Sequence, residues 1–134
     1  NPDSAHYALC TLMHNAYELF FRSYVSLHGG VLHNRTRLPI ELVLVDDGSS
    51  SAVATWAALH LINEEGIKHF LGPYSSSLTR RVARRVSASS GVMVAPGASG
   101  PSVFEGRSRI FGTLPVSTYY AETFLELLAA ADNG

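Results

Sequence analysis

Apolar and polar positions along the chain alternate between two kinds of block. "IELVLV", Ile40 to Val45, is apolar at all but one position and shows no strict alternation, the pattern of a strand covered on both faces. It stops at Asp46-Asp47-Gly48, a turn-forming triplet. Serines 49 to 51 then open a helix whose apolar face is Ala54, Ala57, Ala58, Leu61 and Ile62, with Gly66 past its end. "IKHFLG" is a second strand. Behind Ser75, Ser76 and Ser77, apolar Leu78, Val82 and Val86 recur four apart, with Arg80, Arg81, Arg84 and Arg85 on the other faces. That is an amphipathic helix lying on a surface. Gly91 ends it, "VMVAP" is a third strand, and "GASGPSVFEGRS" reads as a loop. "RIFGT" is a short fourth strand, and Ser117-Thr118 begin a last helix, Tyr119 to about Ala130. Upstream, Asn1-Pro2-Asp3-Ser4 offers N-cap chemistry. Leu9, Leu12, Met13, Ala16 and Phe20 follow at helical spacing as far as Gly29-Gly30, and "HNRTRLP" is a polar turn.

Apolar strands alternating with helices predict an α/β fold, a doubly wound parallel sheet flanked by helices. The 134 residues suit one domain, and 46% hydrophobic with 16% charged residues is a globular balance. A net charge of -1 gives no reason to expect nucleic acid or an anionic membrane as partner. The single cysteine, Cys10, excludes an internal disulfide and, set among apolar neighbours, reads as core. No apolar run approaches the ~20 residues of a membrane span, and no signal-peptide pattern is present. For a secreted protein the targeting segment would lie outside this chain.

In open parallel sheets, ligands collect beyond the carboxyl ends of the strands. Here those ends are Asp46 to Ser49, Gly72 to Ser77, Pro96 to Ser99 and Thr113 to Ser117, rich in small and hydroxyl residues. Small residues admit a ligand close to the backbone, and hydroxyls beside a helix N-terminus suit a carboxylate. Each feature also has a structural reading. Ser75 to Ser77 serve as plain N-cap residues, Asp46-Asp47 ends a strand and starts a turn, and the arginine pairs form a solvated face or else an anion patch. The six histidines lack metal spacing, and no cofactor is expected. No nucleophile elbow, Walker A loop or dinucleotide fingerprint is present. Asn34-Arg35-Thr36 is a glycosylation sequon in a predicted turn, relevant in a secreted eukaryotic protein.

These residues resemble a known family. "FFRSYVSLHGGVLHNRTRLPIELVLVDDGSSSAVATWAALHLINEEGIKHFLGPYSSS" is similar to the first lobe of type 1 periplasmic binding proteins, in particular branched-chain amino-acid-binding proteins and the related receptor ligand-binding regions. "GVMVAPGASGPSV" and "RIFGTLPVSTYYAETFLELL" continue the likeness in order, over about residues 14 to 130. The resemblance implies two lobes that close on a ligand without covalent chemistry, in an extracellular or periplasmic setting. It assigns Ser75 to a ligand carboxylate, with Ser76 beside it. Gly97, through its carbonyl, and Ser99, through its hydroxyl, fall to an ammonium group, with Ala98 between them in the same candidate set.

By the same likeness, the family's first strand is expected to precede residue 1, leaving "IELVLV" and "KHFLG" without a shared neighbour. Residues 1–113 then form a first lobe lacking that strand, and 114–134 a hinge crossing with the first helix of a second lobe. The chain reads as part of a larger protein. The leading expectation is non-enzymatic binding of an amino acid or similar small carboxylate, for a transporter or a signalling receptor. One alternative is an interaction or dimerisation module pairing through the helices that carry Trp56 and Val82. Another is a small enzyme or phospho-receiver centred on Asp46 or Asp47.

Overall fold

In a computed structural model, which describes residues 7–11, 31–33, 36–38 and 40–132, the stretch Tyr7–Thr11 is a β-strand, β1. It pairs in parallel with β4 (Ile40–Leu44) on one side and with β5 (His69–Leu71) on the other. Leu9 stands opposite both Leu42 and His69 in that register. This corrects two expectations at once. The apolar run of residues 7–11 is not the start of a helix, and the strand expected to be missing between "IELVLV" and "KHFLG" is present. The physical reason is that a five-residue, mostly apolar run carries no usable period, so its state is set by its pairing partners. Two parallel neighbours hydrogen-bond both edges of β1, which no local helix of that length matches. The rest of the expected first helix, and the Gly29-Gly30 cap, lie outside the described residues.

The sheet runs β4-β1-β5-β6-β7, with β6 at Val92–Ala95 and β7 at Ile110–Gly112, every pair parallel. The doubly wound parallel sheet is therefore as expected. The stretch 33–39, read as a polar turn, contains a strand: β3 (Thr36–Leu38) pairs antiparallel with β2 (Val31–His33) in a small sheet apart from the main one. Glu41 is exposed on the edge strand β4, a charge of the kind that discourages edge pairing.

Helix α1 (Ser51–Asn63) connects β4 to β5, α2 (Ser76–Ala88) connects β5 to β6, and the short α3 (Pro101–Phe104) connects β6 to β7. All three connections advance in the same direction across the sheet, so right-handed crossovers place them on one face. Accordingly α1 packs on α2, and α2 on α3 and β6. The expected apolar faces are the ones buried. Ala54, Ala57, Ala58 and Leu61 of α1 meet Val82, Ala83 and Val86 of α2 over Phe70 and Met93 of the sheet. Alanines at this contact let the helices approach closely, and Val82 and Val86, both fully buried, are worth about 1.5–3 kcal/mol each. The stretch read as a loop contains α3, started by Pro101 at its first position, with Val103 in the core.

Beyond β7 the chain makes a 3₁₀ turn (Ser117–Tyr119) and then α4 (Glu122–Asp132), none of whose residues is buried. The last helix thus starts after a tighter turn than its Ser-Thr signal suggests. Among the described residues no helix is long and apolar enough to cross a membrane.

A chain starting at Leu12 removes β1 and splits the sheet into β4 and β5-β6-β7. Its thermal melt, followed by circular dichroism, is expected to become broad and non-cooperative. A sharp melt in the truncated chain would show that β4 and β5 hold together without β1.

Candidate functional site

The direction of winding reverses at β1: the chain passes from β1 outward to β4, then back across to β5. Loops diverge at such a point and leave a crevice beyond the strand ends. The segments after β5 and β6, Gly72 to Ser75 and Pro96 to Gly100, stand at that edge.

Ser75 is the N-cap of α2, and its Oγ accepts from the Leu78 amide at 3.4 Å and lies 3.2 Å from Ser77 Oγ. Both contacts are long. With Ser77 donating, the Ser75 proton remains for an outside acceptor. The amides of Ser76 and Ser77 open the helix and have no intrahelical acceptor, and no acidic residue occupies the first turn. Hydroxyl, free amides and the helix dipole together present positive potential toward the crevice. Thr79, wholly buried, anchors this turn: its hydroxyl lies 2.7 Å from both the Pro73 and the Ser75 carbonyl oxygens, which share its proton.

Ser76 has a different duty from its neighbour. Its Oγ accepts from the amides of Ser99 and Gly100 at 3.1 and 3.0 Å, tying the two loops together. Both lone pairs are thereby used within the protein. The Ser99 carbonyl accepts from the Ser117 amide at 2.8 Å, while the Ser99 hydroxyl has no protein partner among the described residues. Gly97 lies against the ring of Tyr74. A Cβ there would overlap the ring and sit 2.9 Å from the Tyr74 carbonyl oxygen. Ala98 is fully buried in the core, so of the expected set it faces the sheet and not the crevice.

The structure therefore brings Ser75 and Ser99 to one edge, with Ser76 as the tie between their loops and Gly97 as the gap that admits Tyr74. Tyr74, 59% exposed, is the residue the sequence reading passed over. The available signal was an aromatic beside the serines in "GPYSSS", together with a glycine in the facing loop.

Asp46 and Asp47 take the turn reading. Their Oδ1 atoms accept from the amides of Gly48 (2.8 Å) and Ser49 (2.7 Å), and Gly48 and Ser49 adopt φ of 53° and 57°. Among the described residues, no three His, Cys, Asp or Glu side chains gather where a metal could sit. On α2, the helix named by Val82 as a candidate pairing element, Val82 itself is buried in the core and Arg80, Arg81, Arg84 and Arg85 are exposed. Asn34 lies outside the described residues.

With this geometry the chain was compared with known proteins. The fold is that of type 1 periplasmic binding proteins. A solute-binding protein of Rhodopseudomonas palustris BisB5, solved with 3,4-dihydroxy benzoic acid, superposes with a TM-score of 0.78 at 15% identity, over 96% of this chain and 37% of that one. An ABC transporter substrate-binding protein of Desulfitobacterium hafniense in complex with Leu gives 0.73 at 17%, over 94% and 38%. The branched-chain amino acid substrate-binding protein LivJ of Streptococcus pneumoniae, in complex with isoleucine, gives 0.65 at 16%, over 92% and 39%. The chain thus spans less than two-fifths of the length of these structures. No family profile and no curated protein sequence matches it.

Replacing Ser76 by alanine leaves the Ser99 and Gly100 amides without their acceptor. The expected cost is about 1–3 kcal/mol in urea unfolding, for partly buried donors left unmet. An unchanged midpoint would show that the loops are held by other contacts.

Proposed function

We propose that this chain supplies one wall of a site for a small organic carboxylate, and that it binds without covalent chemistry. The observation that carries the reading is Ser75: a hydroxyl with capacity to spare, at the N-terminus of a thirteen-residue helix, at the edge where the sheet's winding reverses. Leucine, isoleucine and dihydroxybenzoic acid, the molecules bound in the three structural neighbours, have a carboxyl group in common. In this chain the Ser75 hydroxyl and the first amides of α2 hold that group. The Ser99 hydroxyl accepts from a second polar group of the ligand, such as an ammonium, and the Tyr74 ring provides the apolar wall. A transporter or a receptor of the extracellular or periplasmic space is the setting that fits such a module.

The domain division follows the same reading. Residues 1–113 form the first lobe, now with its first strand, and residues 114–134 the crossing and the opening helix of a second lobe. The exposure of Phe124, Leu125, Leu127 and Leu128 on α4 supports this, since four large apolar side chains on one short helix need a partner surface.

Thermal unfolding against leucine and 3,4-dihydroxybenzoate tests the carboxylate reading. A saturable rise in melting temperature is expected for at least one of them, falling at least about tenfold in affinity in Ser75→Ala, as loss of a charge-assisted hydrogen bond implies. A cooperative melt indifferent to both would sink it.

A second reading, pairing through the first-lobe helices, is favoured by one surface. Val53 and Trp56 of α1 are exposed, Trp56 at 65%, and the indole stacks on His60 with ring centres 5.4 Å apart. If α1 is a dimer face, sedimentation equilibrium shows a dimer that Trp56→Ala returns to monomer. A monomeric wild-type chain at high concentration removes this reading.

A further inference from the structure

A second polar cavity lies at the opposite edge of the sheet, where β6 and β7 begin. The end of α2 and the loop between α3 and β7 border an open, solvent-facing depression of about 330 Å³ lined by Ser87, Ser90, Gly106, Arg107, Ser108 and Arg109. The lining side chains are all polar apart from Gly106, which favours a polar occupant.

Both guanidinium groups are fixed by the backbone. Arg109 donates through Nη1 to the Ser90 carbonyl at 2.8 Å. Arg107 Nη1 is shared among the carbonyls of Ser102, Val103 and Glu105 at 2.8, 3.0 and 3.2 Å. Each guanidinium spends one nitrogen in this way. Its Nε and second amino group have no acceptor among the described residues. Ser87 Oγ, on the α2 wall, is shielded from water and has no hydrogen-bond partner. Rotating about its Cα–Cβ bond would turn that hydroxyl toward an occupant of the cavity.

The surrounding charge is mostly positive. Arg80 and Arg84 lie seven and three residues before Ser87, on the same flank of α2. From Gly66 to Ala121 the chain has six arginines and one lysine but a single carboxylate, Glu105, although its net charge is -1. Among the described residues none of these arginines forms an ion pair. Two elements oppose it: the Glu105 carboxylate, next in sequence to Gly106, and the carbonyl end of α2, which Arg109 answers at Ser90.

We propose that this cavity is a site for a phosphate-class oxyanion, either inorganic phosphate or the phosphate group of a small monoester. Two fixed guanidinium forks and three serine hydroxyls offer more donors than the two oxygens of a carboxylate accept. A tetrahedral dianion has oxygens enough for them. The site is separate from the Ser75 edge, since the full length of the strands lies between them.

The test is a titration of the isotopically labelled chain with inorganic phosphate, at constant ionic strength with chloride, followed by amide NMR. Saturable shifts confined to Ser87, Ser90 and residues 106–109 are expected. Binding should weaken about tenfold in Arg109→Gln, the size expected for losing one charge-assisted contact. Because Arg109 also holds Ser90, Ser87→Ala is the cleaner variant. It removes no contact within the protein, so it should lower phosphate affinity while leaving the melting temperature unchanged or higher. Arg81→Gln, on the far flank of α2, should leave affinity within about twofold, since screened surface charge contributes little. A parallel titration with glycerol phosphate tells the sources apart: tighter binding assigns a monoester, weaker binding the free ion. Shifts that fail to saturate overturn the site, as do shifts that chloride reproduces or that Arg81→Gln reduces as much as Arg109→Gln does.

Discussion

Parallel pairing of β1 with both β4 and β5 is the constraint on which the rest of the molecule depends. A parallel strand cannot be completed by a hairpin from its sequence neighbour; it needs partners brought from far along the chain. β1 takes Leu42 as one such partner and His69 as the other for the same residue, Leu9. With β1 between them, β4 and β5 lie on opposite sides of it, the reversal of winding at which open parallel sheets bind ligands. The helices on the described face inherit their positions from the same arrangement. α1 and α2 lie side by side because β4-to-β5 and β5-to-β6 are successive steps in one direction.

The carboxyl edge of the sheet is built from donors arranged at two levels. Thr79 fixes the Pro73–Ser75 turn from beneath, and Ser76 binds that turn to the loop after β6. Ser75 in turn caps α2, its Oγ accepting from the Leu78 amide and lying 3.2 Å from Ser77 Oγ. Three neighbouring hydroxyl residues thus divide the work: Thr79 holds the turn, Ser76 ties the two loops and Ser75 caps the helix. Capping a helix and receiving an anion draw on the same resource, amides the helix cannot satisfy internally.

Much of this fold was legible in the residues, and the gaps have physical causes. Ile40 to Val45, the alanine face of α1 and the Val82–Val86 spacing announced their elements, since each is long enough for a period to show. The run at Tyr7–Thr11 did not: four apolar residues and a threonine suit a strand or a helix start equally, and only β4 and β5 decide between them. α3 is a single turn, too short for any repeat to reveal. At the site, Ser75 was marked by its place before a helix. The role of Ser76 rests on amides 23 and 24 residues away and leaves no local trace. Ala98 matched by position alone, yet its methyl group completes the core.

The close fit of Tyr74 against Gly97 limits how this edge can vary. Position 97 admits no side chain, because even a methyl group would have to occupy the space of the aromatic ring. The shape of this edge can therefore change at position 97 only if position 74 changes with it. A smaller residue at 74 would release 97 to carry a side chain of its own. The two positions form a coupled pair across which shape is exchanged, and a lineage in which one has changed should show a matching change in the other.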